Sequence, residues 1–145
     1  MTRRPNRLPL LIVAGAWLAG ISGCVQHPAP EVVLKGTWEL VPSAGWSPPV
    51  TNCFITFDSN DDLTQVSYKL AGNTTVTWDD PPTSVSVDGD AITISATQGG
   101  NSLVFNGTLD STKAPTQATG TLNMNFAAGS VTLSVSQGSA TLVKQ

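Results

Sequence analysis

At 145 residues the chain has room for one domain, and its formal net charge of −3 reflects seven Lys and Arg against ten Asp and Glu. Its three arginines all lie within the first seven residues, so the remainder sets four lysines against ten acids and holds one histidine. That balance excludes an electrostatic footprint for nucleic acid and removes the guanidinium forks that grip phosphate or carboxylate, leaving neutral, apolar or cationic partners.

Met1 to Arg7 is basic, Leu8 to Ile21 is apolar, and Ser22-Gly23-Cys24 follows, which is the zoning of a secretory signal. As a helix the apolar run reaches roughly 21 Å, short of a hydrocarbon core of about 30 Å, so cleavage is expected rather than a permanent span. Thr2-Arg3-Arg4 reads as an ordinary basic region, because Pro5-Asn6 departs from a twin-arginine motif. Ile21-Ser22-Gly23-Cys24 resembles the lipobox of bacterial lipoproteins. The resemblance implies loss of residues 1–23, a diacylglyceryl group on the Cys24 thiol, and acylation, as with palmitate, of the freed α-amine. Each buried methylene contributes about 0.8 kcal/mol, so two or three chains anchor durably where one is marginal. Val25 rather than Asp follows the cysteine, which implies the outer membrane if the envelope is Gram-negative, with the domain in or beside the periplasm.

Residues 24–34 then form a lipidated tether whose Pro28 and Pro30 favour extended backbone, and residues 35–145 are expected to be the folded domain. With Cys24 modified, Cys53 has no disulfide partner. It alternates with Ile55 and Phe57 and reads as a buried thiol.

No segment beyond Gly36 shows helical apolar spacing. Strand patterns recur instead, with apolar residues on one face and Ser, Thr or Asn on the other. They fall at Gly36–Val41, Thr51–Phe57, Leu63–Leu70, Thr74–Trp78, Thr83–Val87, Ala91–Ala96, Ser102–Leu109, Gly120–Phe126, Val131–Val135 and Ala140–Val143. Turn chemistry separates them: Asp58-Ser-Asn-Asp-Asp62, Ala71-Gly-Asn73, Asp79-Asp-Pro-Pro82, Asp88-Gly-Asp90, Gln98-Gly-Gly-Asn101 and Ala127-Ala-Gly-Ser130. Asp88-Gly89 predicts a hairpin with a type I′ turn. The expectation is an all-β antiparallel meander of roughly 8–10 strands, closed as a barrel or folded as a β-sandwich.

Lys35-Gly-Thr-Trp-Glu-Leu40 resembles the Gly-x-Trp opening of lipocalins and of small bacterial lipocalin-like domains. Phe54-Ile-Thr-Phe-Asp-Ser-Asn60 is similar to their second strand and turn. Phe105-Asn-Gly-Thr-Leu109 with Gly120-Thr-Leu122 is similar to their closing meander. The resemblance implies a barrel with Trp38 packed across one end. Many lipocalins stack an arginine on that tryptophan; here Lys144 is the available substitute, and no Thr-Asp-Tyr segment occurs.

The chain is poor in catalytic chemistry. His27, the one histidine, lies in the tether, so no Ser-His-Asp or Cys-His constellation forms within the domain, and no metal or cofactor is expected. Asp58-Ser-Asn-Asp-Asp62 starts like an EF-hand, but Leu63 and Lys69 stand where glycine and glutamate are required. Asp79-Asp80 beside Pro81-Pro82 reads as an exposed turn rather than an acid/base pair. Gly45-Trp46-Ser-Pro-Pro-Val50 is expected to fold back and cover the core, the alternatives being a lid over a barrel mouth or a contact with a partner. The expected function is therefore non-enzymatic: a membrane-anchored lipoprotein holding a small apolar ligand or serving as an envelope interaction module. The interior lining it would use is Trp38, Ile55, Tyr68, Trp78, Ile94, Phe105 and Met124. The alternative is an inhibitor of a cationic hydrolase such as lysozyme, or an accessory subunit of an envelope complex, steered by the acidic surface.

Overall fold

In the computed structural model, residues 32–43, 50–70, 74–128 and 131–145 are described. They form nine strands: β1 (Gly36–Pro42), β2 (Val50–Phe57), β3 (Leu63–Leu70), β4 (Thr75–Asp79), β5 (Thr83–Asp88), β6 (Ala91–Gln98), β7 (Asn101–Leu109), β8 (Gln117–Ala128) and β9 (Val131–Lys144). All belong to one antiparallel sheet of order β4-β3-β2-β1-β9-β8-β7-β6-β5. The all-β meander expected from the alternation is present, curled into a half-barrel rather than split as a sandwich.

The pattern's buried face is the barrel interior. In β6, Ile92, Ile94 and Ala96 are buried while Ala91, Thr93 and Gln98 are exposed. Two expected strands at the C-terminus are a single long β9. Gln137, with φ 51°, is the residue that breaks the register, and its N–H donates to Asn123 Oδ1 at 2.9 Å. The irregularity absorbs the extra residue, so the strand bends and continues past Gln137 instead of ending there. The β5–β6 hairpin forms as expected, but its central pair is Gly89-Asp90, closed by Asp88 opposite Ala91. Only Gly89 has positive φ there (63°), the signature of a type II′ turn rather than type I′.

The sheet's two edges, β4 and β5, are neighbours in sequence. Eight antiparallel pairings link the nine strands, so these two run in the same direction. Asp80, Pro81 and Pro82 connect them without reversing the chain. Asp80 N donates to Thr64 O of β3 at 2.8 Å, and Thr97 N of β6 donates to Pro82 O at 3.1 Å. Within three residues the chain leaves β3 and joins β6. Asp80 takes a left-handed φ of 45°, and Pro81 is buried. What reads in sequence as a turn is a change of partner, and β4 plus β5 occupy one strand position between β3 and β6.

The end that receives the N-terminal segment is closed. Leu34 and Trp38 are buried, and the Trp38 indole N–H donates to Leu34 O at 2.7 Å. Asp61 Oδ1 accepts from both Leu34 N and Lys35 N at 2.7 Å, pinning the segment to the β2–β3 turn. Gly36 has φ 124°, a conformation side chains resist, and an added Cβ would press on Lys144 Cε at 3.2 Å. Asp61 itself sits at φ 62°, which Asn also tolerates and Ala does not. Asp61→Ala is expected to cost about 2–3 kcal/mol by loss of two charge-assisted bonds, and Asp61→Asn, which keeps an acceptor, about 1 kcal/mol. Urea unfolding followed by tryptophan fluorescence checks this, and equal losses for the two variants would show that the acceptor is not what holds the segment.

Candidate functional site

Antiparallel alternation sorts the connections to two ends. The closed end carries the N-terminal segment, the β2–β3 and β5–β6 turns and the 110–116 connection. The opposite end carries the connections after β1, β3, β6 and β8. Trp46 belongs to the β1–β2 connection at that second end, but it lies outside the described residues, as do Cys24 and His27.

All seven residues expected to line the interior point into it: Trp38, Ile55, Tyr68, Trp78, Ile94, Phe105 and Met124 are each no more than 2% exposed. They do not form one patch. Trp38 serves the closed end. Tyr68 and Trp78 meet Phe126 from β8 in an aromatic triad nearer the loop end. Tyr68 stacks on Phe126 with centroids 4.2 Å apart and planes 16° off parallel, and Trp78 meets Phe126 edge-on at 5.0 Å. Tyr68 and Trp78 are themselves edge-on at 5.9 Å. Sequence reasoning left Phe126 out of the site, although its place in the β8 alternation was visible.

One polar atom of the triad is left without a partner. Tyr68 Oη is buried and has no hydrogen-bond partner among the described residues. Burial raises its pKa above the ordinary phenol value, and the polar approach of Trp78, too loose to be a hydrogen bond, offsets part of that. An orphaned buried hydroxyl costs about 1–3 kcal/mol, so its retention among apolar neighbours calls for a reason. Cys53, close enough to influence Tyr68, is a free, buried thiol whose pKa burial pushes up to about 12. A neutral thiol of that kind is neither a nucleophile nor a ready metal ligand.

Other carboxylates behave as the sequence suggests. Asp58 caps its own turn, accepting from Asn60 N at 2.7 Å and Asp62 N at 3.1 Å. Asp79 and Asp80 are exposed, and Asp79 accepts from Gln65 Nε2 at 2.8 Å. Asp110 accepts from Thr116 N and Oγ1 at 2.9 and 2.7 Å, which holds its carboxyl below the usual range and orders the β7–β8 connection. Among the described residues no group of three or more His, Cys, Asp and Glu side chains converges as a metal site.

Lys144 takes the place expected of it. Its ammonium lies 5.4 Å from the Trp38 ring centroid and donates to Val33 O at 3.4 Å. Trp38 and Lys144 are direct cross-strand partners of β1 and β9, so strand pairing itself sets the lysine over the ring. A family model described as Lipocalin-like domain matches residues 34–113, from buried Leu34 through β7. No curated protein and no solved structure matches the chain. With more than half its length matched, and Gly36, Trp38 and Lys144 assembled at the closed end, the chain belongs to the lipocalin-like domain family.

Proposed function

We propose that this protein is a lipid-anchored, non-enzymatic binding domain that holds a small, largely apolar ligand bearing one hydrogen-bond acceptor. The observation that carries the reading is the Tyr68 hydroxyl, a donor buried without a partner among the described residues in an interior of apolar and aromatic side chains. A carbonyl or carboxylate on an apolar chain supplies the missing acceptor, and the Tyr68–Trp78–Phe126 rings supply the apolar contact. The closely packed triad suits a narrow ligand.

Lipidation at Cys24 sets the orientation. Seven residues, 25–31, separate Cys24 from the first described residue and reach at most roughly 25 Å when extended. They lead into the closed end, so the loop end faces away from the bilayer. In an outer membrane this arrangement holds the ligand site in the aqueous compartment with the Trp38 end nearest the lipid.

Two experiments test the reading. Titration with palmitate, followed by intrinsic tryptophan fluorescence, is expected to saturate in the wild type. Tyr68→Phe should weaken that affinity about 5- to 10-fold, the worth of one net hydrogen bond, while raising unfolding free energy by about 1 kcal/mol. Weaker binding in a more stable variant separates a functional hydroxyl from a structural one. A wild type that shows no saturable response to palmitate, its methyl ester or extracted envelope lipids refutes the carrier. For the anchor, Cys24→Ser is expected to abolish processing at residue 23 and change membrane partitioning on fractionation. An unchanged, uncleaved, membrane-bound variant refutes lipidation.

A further inference from the structure

The change of partner between β4 and β5 leaves an opening that the ligand reading does not use. Beyond Asp80 the chain no longer pairs with β3, and β5 runs on beside β6 alone. The even-numbered residues of β5 bond to β6, as Pro82 O does to Thr97 N, because Asp88 opposite Ala91 closes a two-residue hairpin. The backbone groups of Thr83, Val85 and Val87 therefore point outward. Among the described residues they have no strand partner on that side.

Beside this edge lies a cleft of about 630 Å³, lined by Val32, Leu34, Val85 and Val87 and walled by Asp61 and Asp62. Val85 and Val87 are only half-buried, and both pack against the main core. Gly89 also borders the cleft, which places Asp88 and Asp90 at its rim opposite Asp61 and Asp62. Lys35 and Lys113 adjoin the lining residues Leu34 and Thr112, and Lys144 Nζ donates to Val33 O, but with Asp58 in the facing turn five aspartates (58, 61, 62, 88 and 90) outnumber these three cations. The edge Thr83-Ser-Val-Ser-Val-Asp88 carries no lysine, proline or bulge, the devices that usually blunt an exposed strand.

We propose that this seam is a docking site for an extended, cationic polypeptide segment of a partner protein, which pairs with the outer edge of β5. Its backbone takes up the free groups of Thr83, Val85 and Val87. Alternate apolar side chains cover Val85 and Val87, and its lysines or arginines meet the aspartates at the rim. Charge selects this occupant over a second copy, since two seams brought together would set acid against acid. The site is separate from the Tyr68 interior, so either proposal stands if the other fails.

Position 85 offers a clean block. Its N–H faces the seam rather than β6, so Val85→Pro removes an outward donor without removing a β5–β6 hydrogen bond. The test uses the full chain and the capped heptapeptide Lys-Val-Thr-Val-Lys-Val-Lys, with a Glu-for-Lys peptide as its counterpart. Saturable binding of the lysine peptide is expected, at least 10-fold tighter than the glutamate peptide and several-fold weaker at 0.3 M than at 0.05 M salt. Amide shifts should centre on residues 83–88, with new exchange protection at Val85 and Val87, and Val85→Pro should abolish them. Should that variant not fold, the double change Asp88→Asn and Asp90→Asn, which leaves the backbone intact, should lower lysine-peptide affinity about 5-fold or more. Equal affinity for the two peptides, shifts centred elsewhere, or no saturation overturns the proposal. Concentration-dependent dimerisation with protection confined to 83–88 also overturns it, by assigning the edge to a second copy.

Discussion

The pairing of β1 with β9 is the constraint on which the architecture turns. A nine-strand antiparallel meander without it would be an open sheet with its first and last strands as edges. Joining Trp38 to Lys144 and Leu40 to Leu142 buries those edges against each other and moves the free ones to the middle of the chain. Because nine strands alternate in direction, the new edges run parallel, and parallel neighbours cannot be zipped by a tight hairpin. The chain solves this at Asp80-Pro81-Pro82 by letting one strand position serve two partners in succession. Two prolines suit that corner because neither has an N–H to lose as the ladder changes hands.

The same pairing builds the closed end. Cross-strand partners share a face, so fixing Lys144 opposite Trp38 places a long cationic side chain beside the indole. Gly36 leaves room for the lysine's stem, Leu34 accepts the indole proton, and Asp61 holds Leu34 in place. The segment leading into β1, the β2–β3 turn and β9 thus converge around one tryptophan. The convergence depends on register: a one-residue slip of β9 would turn Lys144 and Leu142 to the wrong faces.

Period-two alternation made most of this legible in the sequence, because a curled sheet with one wet face and one buried face imposes it on every strand. Ile92, Ile94 and Ala96 against Thr93 and Ser95 needed no other information, and neither did the seven interior residues, all of which face inward. What the pattern hid were features set by pairing across long sequence distances. Gln137 and Gly138 look like a break between strands, and only the Asn123 side chain on β8 shows that they are an irregularity within one strand. Asp79-Asp-Pro-Pro82 has the composition of a reversal, but composition does not say whether the next strand pairs with the last. Asp61 reads as one turn residue among several, although its carboxylate serves backbone donors 26 and 27 residues away.

Among the described residues, two unsatisfied features lie apart from one another. Tyr68 spends stability on a buried hydroxyl toward the loop end, and β5 leaves outward backbone groups and half-buried valines along the seam toward the closed end. Neither is demanded by the fold: a phenylalanine would fill the Tyr68 site, and a longer β3 would cover β5. Native chains retain local violations of packing and pairing rules chiefly where a partner satisfies them. The chemistry of each violation then constrains its partner. An unpartnered hydroxyl amid aromatic rings would suit a single acceptor on an apolar body, whereas alternating backbone groups flanked by aspartates would suit an extended cationic chain. An anchor at the closed end would hold the second site near the lipid surface and leave the first open to the surrounding compartment, so the two ends of one sheet would address different partners.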